Sequence, residues 1–389
     1  MRILVLHNRY RSGDTSGENR VVRDEIELLR SAGHLVVSWE AEPDVASVAG
    51  QARAAVDAVW SRRASRKVRN IVEQRGIEVV HAHNLFPSLS PGVLRAARSR
   101  NAVVVVTLHN YRFLCLPATL TRDGRPCEEC VGHVPWRGIV HRCYRESVAG
   151  SATIATSLTT HRAIGSFDAV DRYAAVSGFI RDTYVRAGYR SERVVVKPNF
   201  AGVAPRRRGP GRGFLFLGRL TPEKGVDTLL DAWRGAQPSQ PSLEPLTIVG
   251  SGPADEPLRV AAPSGVRFLG DVQGHEVAGV IRGARAVLIP SRWEEAAVPR
   301  VALEAYASGV PVIASERGAL PEGVVPEETG LLVPAEEPGA WREAVRRLED
   351  DATSTRLGNG AFALWRERYG PDAGLAALLA LYEGVTRRS

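Results

Sequence analysis

The segment FLFLGRLTPEKGVDTLL, residues 214–230, begins as a buried β-strand and ends as an α-helix. Arg219 and Lys224 lie where the strand gives way to the helix, and their charges are costly to bury. We therefore expect both at the carboxyl edge of the strand, where they can hold an anion. Gly218 lets the backbone turn, and Pro222 is suited to begin a helix whose N-terminus carries partial positive charge. The alternative is a surface turn with two solvated cations.

Length and charge set the broad class. The chain has 389 residues, a length that favours two globular domains, and its net charge is +8. Residues 1–200 carry 29 Lys and Arg against 19 Asp and Glu, whereas the remainder carries 22 against 24. This asymmetry favours an acidic partner or substrate, and an ordinary basic surface is the alternative. The first residues, MRILVLHN, have too few apolar positions for a signal peptide and predict a first strand, so we expect a cytoplasmic protein.

Strand-like and helix-like runs alternate throughout the chain. Examples of strands are RILVLHN (2–8), AVVVVTLHN (102–110), LTIVGSGP (246–253) and ARAVLIPS (284–291). Such runs, rich in Val and Ile, are typical of parallel strands that are buried on both faces. The pattern predicts an α/β protein with two Rossmann-like, doubly wound domains that face each other across a cleft. The predicted parts are an N-terminal domain (1–198) with a Cys-rich insertion (111–146), a linker (199–213), a C-terminal domain (214–370) and a final helix (371–389) that packs on either domain.

A second group of polar residues lies in PSRWEEAAVPRVALEAYASGVPVIAS, residues 290–315. A strand ends at Pro290 and Ser291, glutamates follow, and the next helix carries Glu304. Carboxylates accept hydrogen bonds from vicinal hydroxyls, so Glu304 is a candidate ligand of a ribose or hexose. The alternative is that Glu304 pairs with a neighbouring cation.

The first half supplies further candidates. His109 follows a predicted strand in TLHNYR and can hydrogen-bond a sugar or move a proton; the alternative is an ordinary structural histidine. Gly13 and Gly17 follow the first strand and let a ligand approach the backbone. Neither SGDTSGEN nor VGSGPADE matches the GxGxxG fingerprint of NAD-binding domains, and Asp-x-Asp is absent from the sequence.

In combination, GRLTPEKGVDTLL, PSRWEEAAVPRVALEAYASGVPVIAS, KPNFAGV, HAHNLFPSLSP and TLHNYR resemble the retaining glycosyltransferases of family 4, which have the GT-B fold. The resemblance extends over nearly the whole chain. It implies a UDP- or GDP-sugar donor held mainly by the second domain and a hydroxyl acceptor held mainly by the first. It also implies retention of configuration and catalysis without a metal ion.

The resemblance assigns roles to individual residues. Arg219 and Lys224, after Gly218, contact the donor diphosphate, while Glu304 and the strand end at Ser291 serve the donor nucleotide. His109 approaches the transferred sugar, and the loop around Gly17 flanks the cleft. The family has two glutamates separated by seven residues, whereas eight residues separate Glu295 from Glu304 here. The sugar-contacting carboxylate is therefore assigned to Glu295 or, alternatively, to Glu294.

The four cysteines all fall within residues 115–143. They are Cys115, Cys127, Cys130 and Cys143, and His133 and His141 are nearby alternative ligands. Four thiolates match a tetrahedral structural zinc site, and disulfides are disfavoured in the cytosol. Reduced core cysteines and redox chemistry are the alternatives.

Residues 54–76 predict one basic amphipathic helix. Its polar side carries Arg62, Arg63, Arg66, Lys67 and Arg69. Such a helix can lie on anionic lipid, which would place the protein at the inner membrane face, or it simply covers the sheet. Two other functions compete with sugar transfer: a GT-B-type sugar-nucleotide epimerase, and a non-catalytic protein that binds anions or nucleic acid. No nucleic-acid motif is present, so a nucleic-acid partner is not expected.

Overall fold

The computed structural model describes residues 1–10, 16–42, 47–234, 242–272 and 274–386. The chain divides into two compact units. The first unit contains residues 1–122, 127–197 and the C-terminal segment from Leu375 onward. The second unit contains residues 123–126 and 198–374. The last helix therefore begins in the second unit and ends in the first.

The first unit is built on a six-stranded parallel sheet. Its strand order is β2-β1-β3-β4-β7-β8, and every neighbouring pair is parallel. The strands up to the end of this sheet are β1 (Arg2–Asn8), β2 (Leu35–Ala41), β3 (Val79–Ala82), β4 (Val103–Leu108), β5 (Thr121–Arg122), β6 (Arg125–Pro126), β7 (Arg172–Ala175) and β8 (Val194–Val196). The short strands β5 and β6 form a sheet of their own. Strands β3 and β4 are buried along their whole length, as their Val-rich sequence predicts.

Helices separate these strands. They are α1 (Gly17–Ser31), α2 (Val48–Trp60), α3 (Arg62–Arg75), α4 (Gly92–Arg98), α5 (Arg137–Val140), α6 (Val148–Ala163) and α7 (Gly178–Arg186). The prediction of one helix over residues 54–76 is wrong, because the chain breaks at Ser61. The Ser61 backbone is extended, and its hydroxyl accepts a hydrogen bond from the Ala64 amide, which starts α3 as a new helix.

The second unit repeats the design. Its strands are β9 (Phe214–Leu217), β10 (Leu246–Val249), β11 (Val266–Gly270), β12 (Ala286–Ile289), β13 (Val312–Ser315) and β14 (Gly330–Val333). They are ordered β11-β10-β9-β12-β13-β14, again with parallel pairs. The strand order changes direction beside β9, and crevices at such points bind ligands in open α/β sheets.

The helices of the second unit cover both faces of its sheet. They are α8 (Val226–Arg234), α9 (Asp255–Ala261), α10 (Gly274–Gly283), α11 (Arg300–Ala307), α12 (Leu320–Gly323), α13 (Pro338–Glu349) and α14 (Asp351–Leu364), and the last helix of the chain is α15 (Pro371–Thr386). One apolar cluster joins α8 and α13 to one face, and another joins α11 and α14 to the other. The predicted fold class, two Rossmann-like α/β domains, is confirmed.

The end of α15 completes the core of the first unit. Leu378, Leu381 and Tyr382 belong to the same apolar cluster as Ile3 and Val105 of the central strands. Among the described residues, no helix is both long enough and apolar enough to cross a bilayer.

Candidate active site

The turn after β9 is shaped by its contact with the end of β12. Residues Pro222–Lys224 form a 3₁₀ helix, and Gly225 follows with φ of +68°. A Cβ atom at Gly225 would lie 2.1 Å from the carbonyl oxygen of Pro290, so only glycine fits. Pro222 begins this 3₁₀ turn, but left-handed Gly225 separates the turn from α8, so the longer helix starts at Val226. This turn holds Lys224 against the segment after β12.

Lys224 meets two polar side chains of that segment. Its Nζ lies 2.7 Å from Oε1 of Glu295, and the Ser291 hydroxyl donates to the same oxygen at 2.5 Å. The lysine side chain is only 18% exposed. Burial alone would raise the pKa of Glu295, but the charge of Lys224 and the hydrogen bonds from Lys224 and Ser291 hold that pKa below its ordinary value. The three residues form a charged cluster at the carboxyl edge of the sheet.

Glu294 and Glu295 have different neighbours. Glu294 accepts a hydrogen bond of 2.6 Å from the amide of Gly318 and lies 3.6 Å from Arg317, so it fastens the turn after β13. Glu295 points instead to Lys224. Glu295, and not Glu294, therefore lies beside Lys224, the residue predicted to bind the diphosphate.

The other residues predicted to bind the donor have different neighbours from those of Lys224. Gly218 directly follows β9, and the side chain of Arg219 is 68% exposed, with its guanidinium 3.9 Å from Glu223. Glu304 lies on α11, where Arg300 contacts its carboxylate at 3.2 Å. Glu304 thus pairs with a neighbouring cation, which was the alternative to a role as a sugar ligand. Both side chains of this Arg300–Glu304 pair remain partly exposed to solvent.

The predicted residues of the first unit border a small pocket. His109 lines a small cavity of about 20 Å³ together with Glu18, Asn110, Arg112 and Tyr184. Gly17 opens α1 directly before Glu18, and among the described residues nothing but its own chain neighbours and helix backbone lies within 4 Å of the position that a Cβ would take there. Gly13 lies outside the described residues.

The pocket contains two groups with displaced pKa values. Burial raises the pKa of Glu18 to about 7, against opposing effects of Tyr10 and Arg112. Burial, with the positive charge of Lys197, lowers the pKa of His109 well below its ordinary value. His109 is therefore a neutral imidazole at pH 7, while Glu18 can gain or lose a proton near that pH.

All four cysteines lie in the first unit, although residues 123–126 between them are assigned to the second. No disulfide joins Cys115, Cys127, Cys130 and Cys143. Burial raises the pKa of the Cys130 thiol, and the proximity of the other three thiols adds to this shift. Among the described residues, the group whose ligand atoms lie within 4.8 Å of one another is instead Glu25, His81 and His83. The cysteines are thus gathered in one region without being as close together as zinc ligands.

Comparison with known protein families decides the relationship. The sequence profile described as "Glycosyltransferase Family 4" matches residues 15–203, and the profile described as "Glycosyl transferases group 1" matches residues 211–351. The chain belongs to the family 4 glycosyltransferases. Residues 204–210 separate the two matched ranges and lie close to the boundary between the two units of this glycosyltransferase.

Curated relatives carry names from the same class of enzymes. The glycosyltransferase is 38% identical over 157 residues to D-inositol 3-phosphate glycosyltransferase of Corynebacterium glutamicum, covering 38% of this chain and 37% of the relative. Its match to the enzyme of the same name from Streptomyces avermitilis is 31% over 294 residues, covering 64% and 62%. D-rhamnosyltransferase WbpZ of Pseudomonas aeruginosa is 34% identical over 167 residues, covering 41% and 42%. The matches span between about a third and two thirds of these relatives.

Solved structures confirm the GT-B fold. Sucrose-phosphate synthase from Thermosynechococcus elongatus superposes with a TM-score of 0.71 at 19% identity, covering all of both chains. HepE of Anabaena, solved in complex with UDP, superposes with a TM-score of 0.64 at 17% identity, covering 98% of the glycosyltransferase and 100% of HepE.

Sequence reasoning missed several polar residues near His109. The Nδ1 atom of His83 lies 2.9 Å from Nε2 of His109, and Glu25 and Lys197 form an ion pair behind it. One signal was visible: His83 follows β3, the neighbour of β4, so both histidines leave the sheet at the same edge. Glu25 and Lys197 are 172 positions apart, and no sequence pattern relates them.

Proposed function

We propose that this glycosyltransferase moves a sugar from a nucleotide-diphosphate sugar to a hydroxyl acceptor, with retention of configuration and without a catalytic metal ion. Residues 214–370, which lie within the second unit, bind the donor, and the N-terminal residues 1–198 bind the acceptor. The contact of Lys224 with Glu295, at the carboxyl edge beside the point where strand order changes, is the observation that supports this most directly.

The proposed chemistry follows from charge. Breaking the bond between the anomeric carbon and the diphosphate leaves a sugar with positive character and a leaving group that gains negative charge. Lys224 and Arg219 supply positive charge for the diphosphate, and Glu295 keeps Lys224 in place. Glu304 accepts hydrogen bonds from donor hydroxyls when its contact with Arg300 opens. The acceptor hydroxyl attacks from the face that the diphosphate leaves, and a diphosphate oxygen takes its proton.

The donor is proposed to carry uridine. HepE, which shares the fold, was solved with UDP and with UDP-glucose, whereas the sequence itself favours neither UDP nor GDP. Thermal shift with a panel of UDP- and GDP-sugars tests this, and the anomeric configuration of the product, determined by NMR, tests retention. Stabilisation by GDP-sugars alone would overturn the uridine assignment. Isomerised sugar nucleotide formed without an acceptor would support the epimerase alternative, which the family matches do not favour.

The acceptor is proposed to be a polyhydroxyl compound that places one of its hydroxyl groups at the small pocket lined by Glu18 and His109. Relatives named D-inositol 3-phosphate glycosyltransferase support an acceptor of this chemistry. The neutral imidazole of His109 and the carboxyl of Glu18 can both hydrogen-bond hydroxyl groups. Product formation from polyols, sugar phosphates and lipid-linked glycans, each tested with the donor found above, identifies the class.

We also propose that α3 makes a peripheral contact with anionic membrane at the cytoplasmic face. Arg62, Arg63, Arg66 and Lys67 are exposed on this helix, while Ala64 and other apolar residues face the core. The attraction to anionic lipid would weaken as salt rises. Co-sedimentation with anionic vesicles at low and high ionic strength is the test, and equal binding to neutral vesicles would contradict it.

A structural zinc ion at the four cysteines is the last part of the proposal. Their proximity within the first unit supports it, as does the Cys-x-x-Cys spacing of Cys127 and Cys130. A tetrahedral site with Zn–S distances near 2.3 Å requires sulfur atoms about 3.8 Å apart, so the segment must tighten around the ion. Metal analysis of protein purified without added metal should find about one zinc per chain. Protein without zinc that is as stable as before chelation would contradict the site.

A further inference from the structure

A buried ion pair lies beneath the histidines of the first unit. Lys197, at the end of β8, contacts Oε1 of Glu25 in the middle of α1, and each side chain is 1% exposed. A charge pair this deep is costly, and an apolar pair of similar size is often at least as stable. The pair therefore calls for a reason other than stability.

The second carboxylate oxygen of Glu25 faces the histidines. Oε2 lies 3.7 Å from Nε2 of His83 and 3.9 Å from Nδ1 of His81. Both ring nitrogens of His81 already have partners, since Nδ1 contacts the Tyr382 hydroxyl at 2.8 Å and Nε2 contacts the Thr107 hydroxyl at 2.7 Å. Of these two rings, His83 is therefore the one with a nitrogen left to bond Oε2 of Glu25.

Within the part of the chain that the structure describes, two buried atoms of Glu25 and His83 then remain without a hydrogen-bond partner, and they face each other. They are Oε2 of Glu25 and Nε2 of His83. A carboxylate can only accept, so a hydrogen bond between them requires the proton of His83 on Nε2. A shift of less than 1 Å, or one bridging water molecule, is enough to form this bond across the 3.7 Å that separates the atoms.

The protonation of His83 decides that of His109. Burial lowers the pKa of both rings well below the ordinary value, with neighbouring histidines and Lys197 adding to the effect, so each ring carries one proton at pH 7. With its proton on Nε2, His83 presents a lone pair at Nδ1. His109 must donate to that lone pair from Nε2, 2.9 Å away. The opposite arrangement would leave Glu25 and His83 facing each other with lone pairs, and it is disfavoured by about tenfold or more.

We propose that Glu25 acts through His83 to fix His109 as the Nε2–H tautomer, so that Nδ1 of His109 is a hydrogen-bond acceptor for a substrate hydroxyl. Glu25 and His83 are positioning residues, and Lys197 keeps the Glu25 carboxylate in place. The use of Nδ1 by a sugar rests on the proposed function. The tautomer itself does not, because it is a property of the protein without substrate.

A metal ion bound to Glu25, His81 and His83 is the competing explanation, since these side chains lie within 4.8 Å of one another. The ammonium group of Lys197 already neutralises Glu25, and Tyr382 and Thr107 occupy both nitrogens of His81. Binding of a cation would have to displace these contacts. The hydrogen-bonded relay needs no such displacement.

Long-range ¹H–¹⁵N correlation spectra of the imidazole rings test the proposal at pH 7 in the full-length protein. A spectrum of His109→Gln assigns the His109 signals by their loss. We expect wild-type His109 to show a protonated Nε2 and an unprotonated Nδ1 as the single tautomer. In Glu25→Gln/Lys197→Met, which removes both charges together, the glutamine can donate as well as accept, so this preference should fall at least severalfold toward a mixture of tautomers.

Three results would overturn the relay. They are a wild-type His109 with its proton on Nδ1, a double variant with unchanged tautomer preference, and stoichiometric zinc or manganese that shifts the His81 and His83 signals. His161 is the internal control, because its ring nitrogens bond to the Ser166 hydroxyl and the Val59 carbonyl and its ring stacks on Trp60, so its signals report that the double variant is folded. If no donor or acceptor is ever found, the proposed function fails, whereas the spectra still decide the relay.

Discussion

Replacing Lys224 by methionine separates the catalytic part of the proposal from the structural part. The change removes a cation that is 2.7 Å from Glu295 and 18% exposed. Breaking a buried ion pair on one side costs about 3–5 kcal/mol, and we expect the lower end, about 3 kcal/mol, because Ser291 still donates to the carboxylate. Loss of one preorganised charge at the leaving diphosphate should lower kcat by about 10²-fold, equivalent to about 2.7 kcal/mol.

The two effects depend differently on pH and on a second substitution. In the wild type the lowered pKa of Glu295 gives stability that is present above the ordinary value of 4.5 and lost as the pH falls through the lower, folded value. Without Lys224, burial instead raises this pKa, so stability falls as the pH rises. The difference in unfolding free energy should therefore be largest near pH 7 and shrink toward pH 3. In Lys224→Met/Glu295→Gln most of the stability should return, while turnover should not.

Denaturant unfolding at several pH values, thermal shift with the preferred sugar nucleotide, and release of nucleoside diphosphate measure these effects. Arg234→Met is the control for loss of a cation from the same unit, because Arg234 is about half exposed at the end of α8. Near-normal turnover by Lys224→Met would refute its role at the diphosphate. Stability equal to the wild type at pH 7 would refute the importance of the ion pair.

Three further predictions follow from single positions. Gly225→Ala should destabilise the second unit by more than about 2 kcal/mol, since its Cβ would meet the Pro290 carbonyl at 2.1 Å. The control is Gly339→Ala on α13, where a Cβ has open space and should have no cost. Equal unfolding midpoints for the two variants would contradict this prediction. Glu18→Gln should leave the free energy of unfolding unchanged near pH 4 and raise it by up to about 3 kcal/mol at pH 8. The reason is that the raised pKa of Glu18 makes its ionisation destabilising in the folded protein. Thermal unfolding at both pH values is the measurement. His109→Gln should lower kcat by about 10²-fold and leave binding of the sugar nucleotide to the second unit intact, so a loss of donor affinity alone would count against its place at the reacting sugar.

The fold was readable from the sequence because the decisive signals are local. Val-rich runs mark strands that are buried on both faces, and their alternation with amphipathic segments leaves parallel, doubly wound sheets as the natural arrangement. The errors in secondary structure came where one residue overrides a continuous pattern. Ser61 stops a basic helical run because its hydroxyl caps the following helix. Gly225 separates the 3₁₀ turn from α8 because its φ is positive, and a Cβ on that backbone would meet the Pro290 carbonyl.

The sequence by itself determined the family, the two sheets and the edge at which the charged side chains lie, because these depend on motifs and on hydrophobic period. Only the tertiary structure decided which partners those side chains have. Lys224 pairs with Glu295 and not with Glu294, Arg300 contacts Glu304, and the side chain of Arg219 is largely exposed. The tertiary structure also brought Glu25 and Lys197 together across 172 positions, because the pairing of buried charges depends on how helices pack on a sheet, which short-range sequence patterns do not encode.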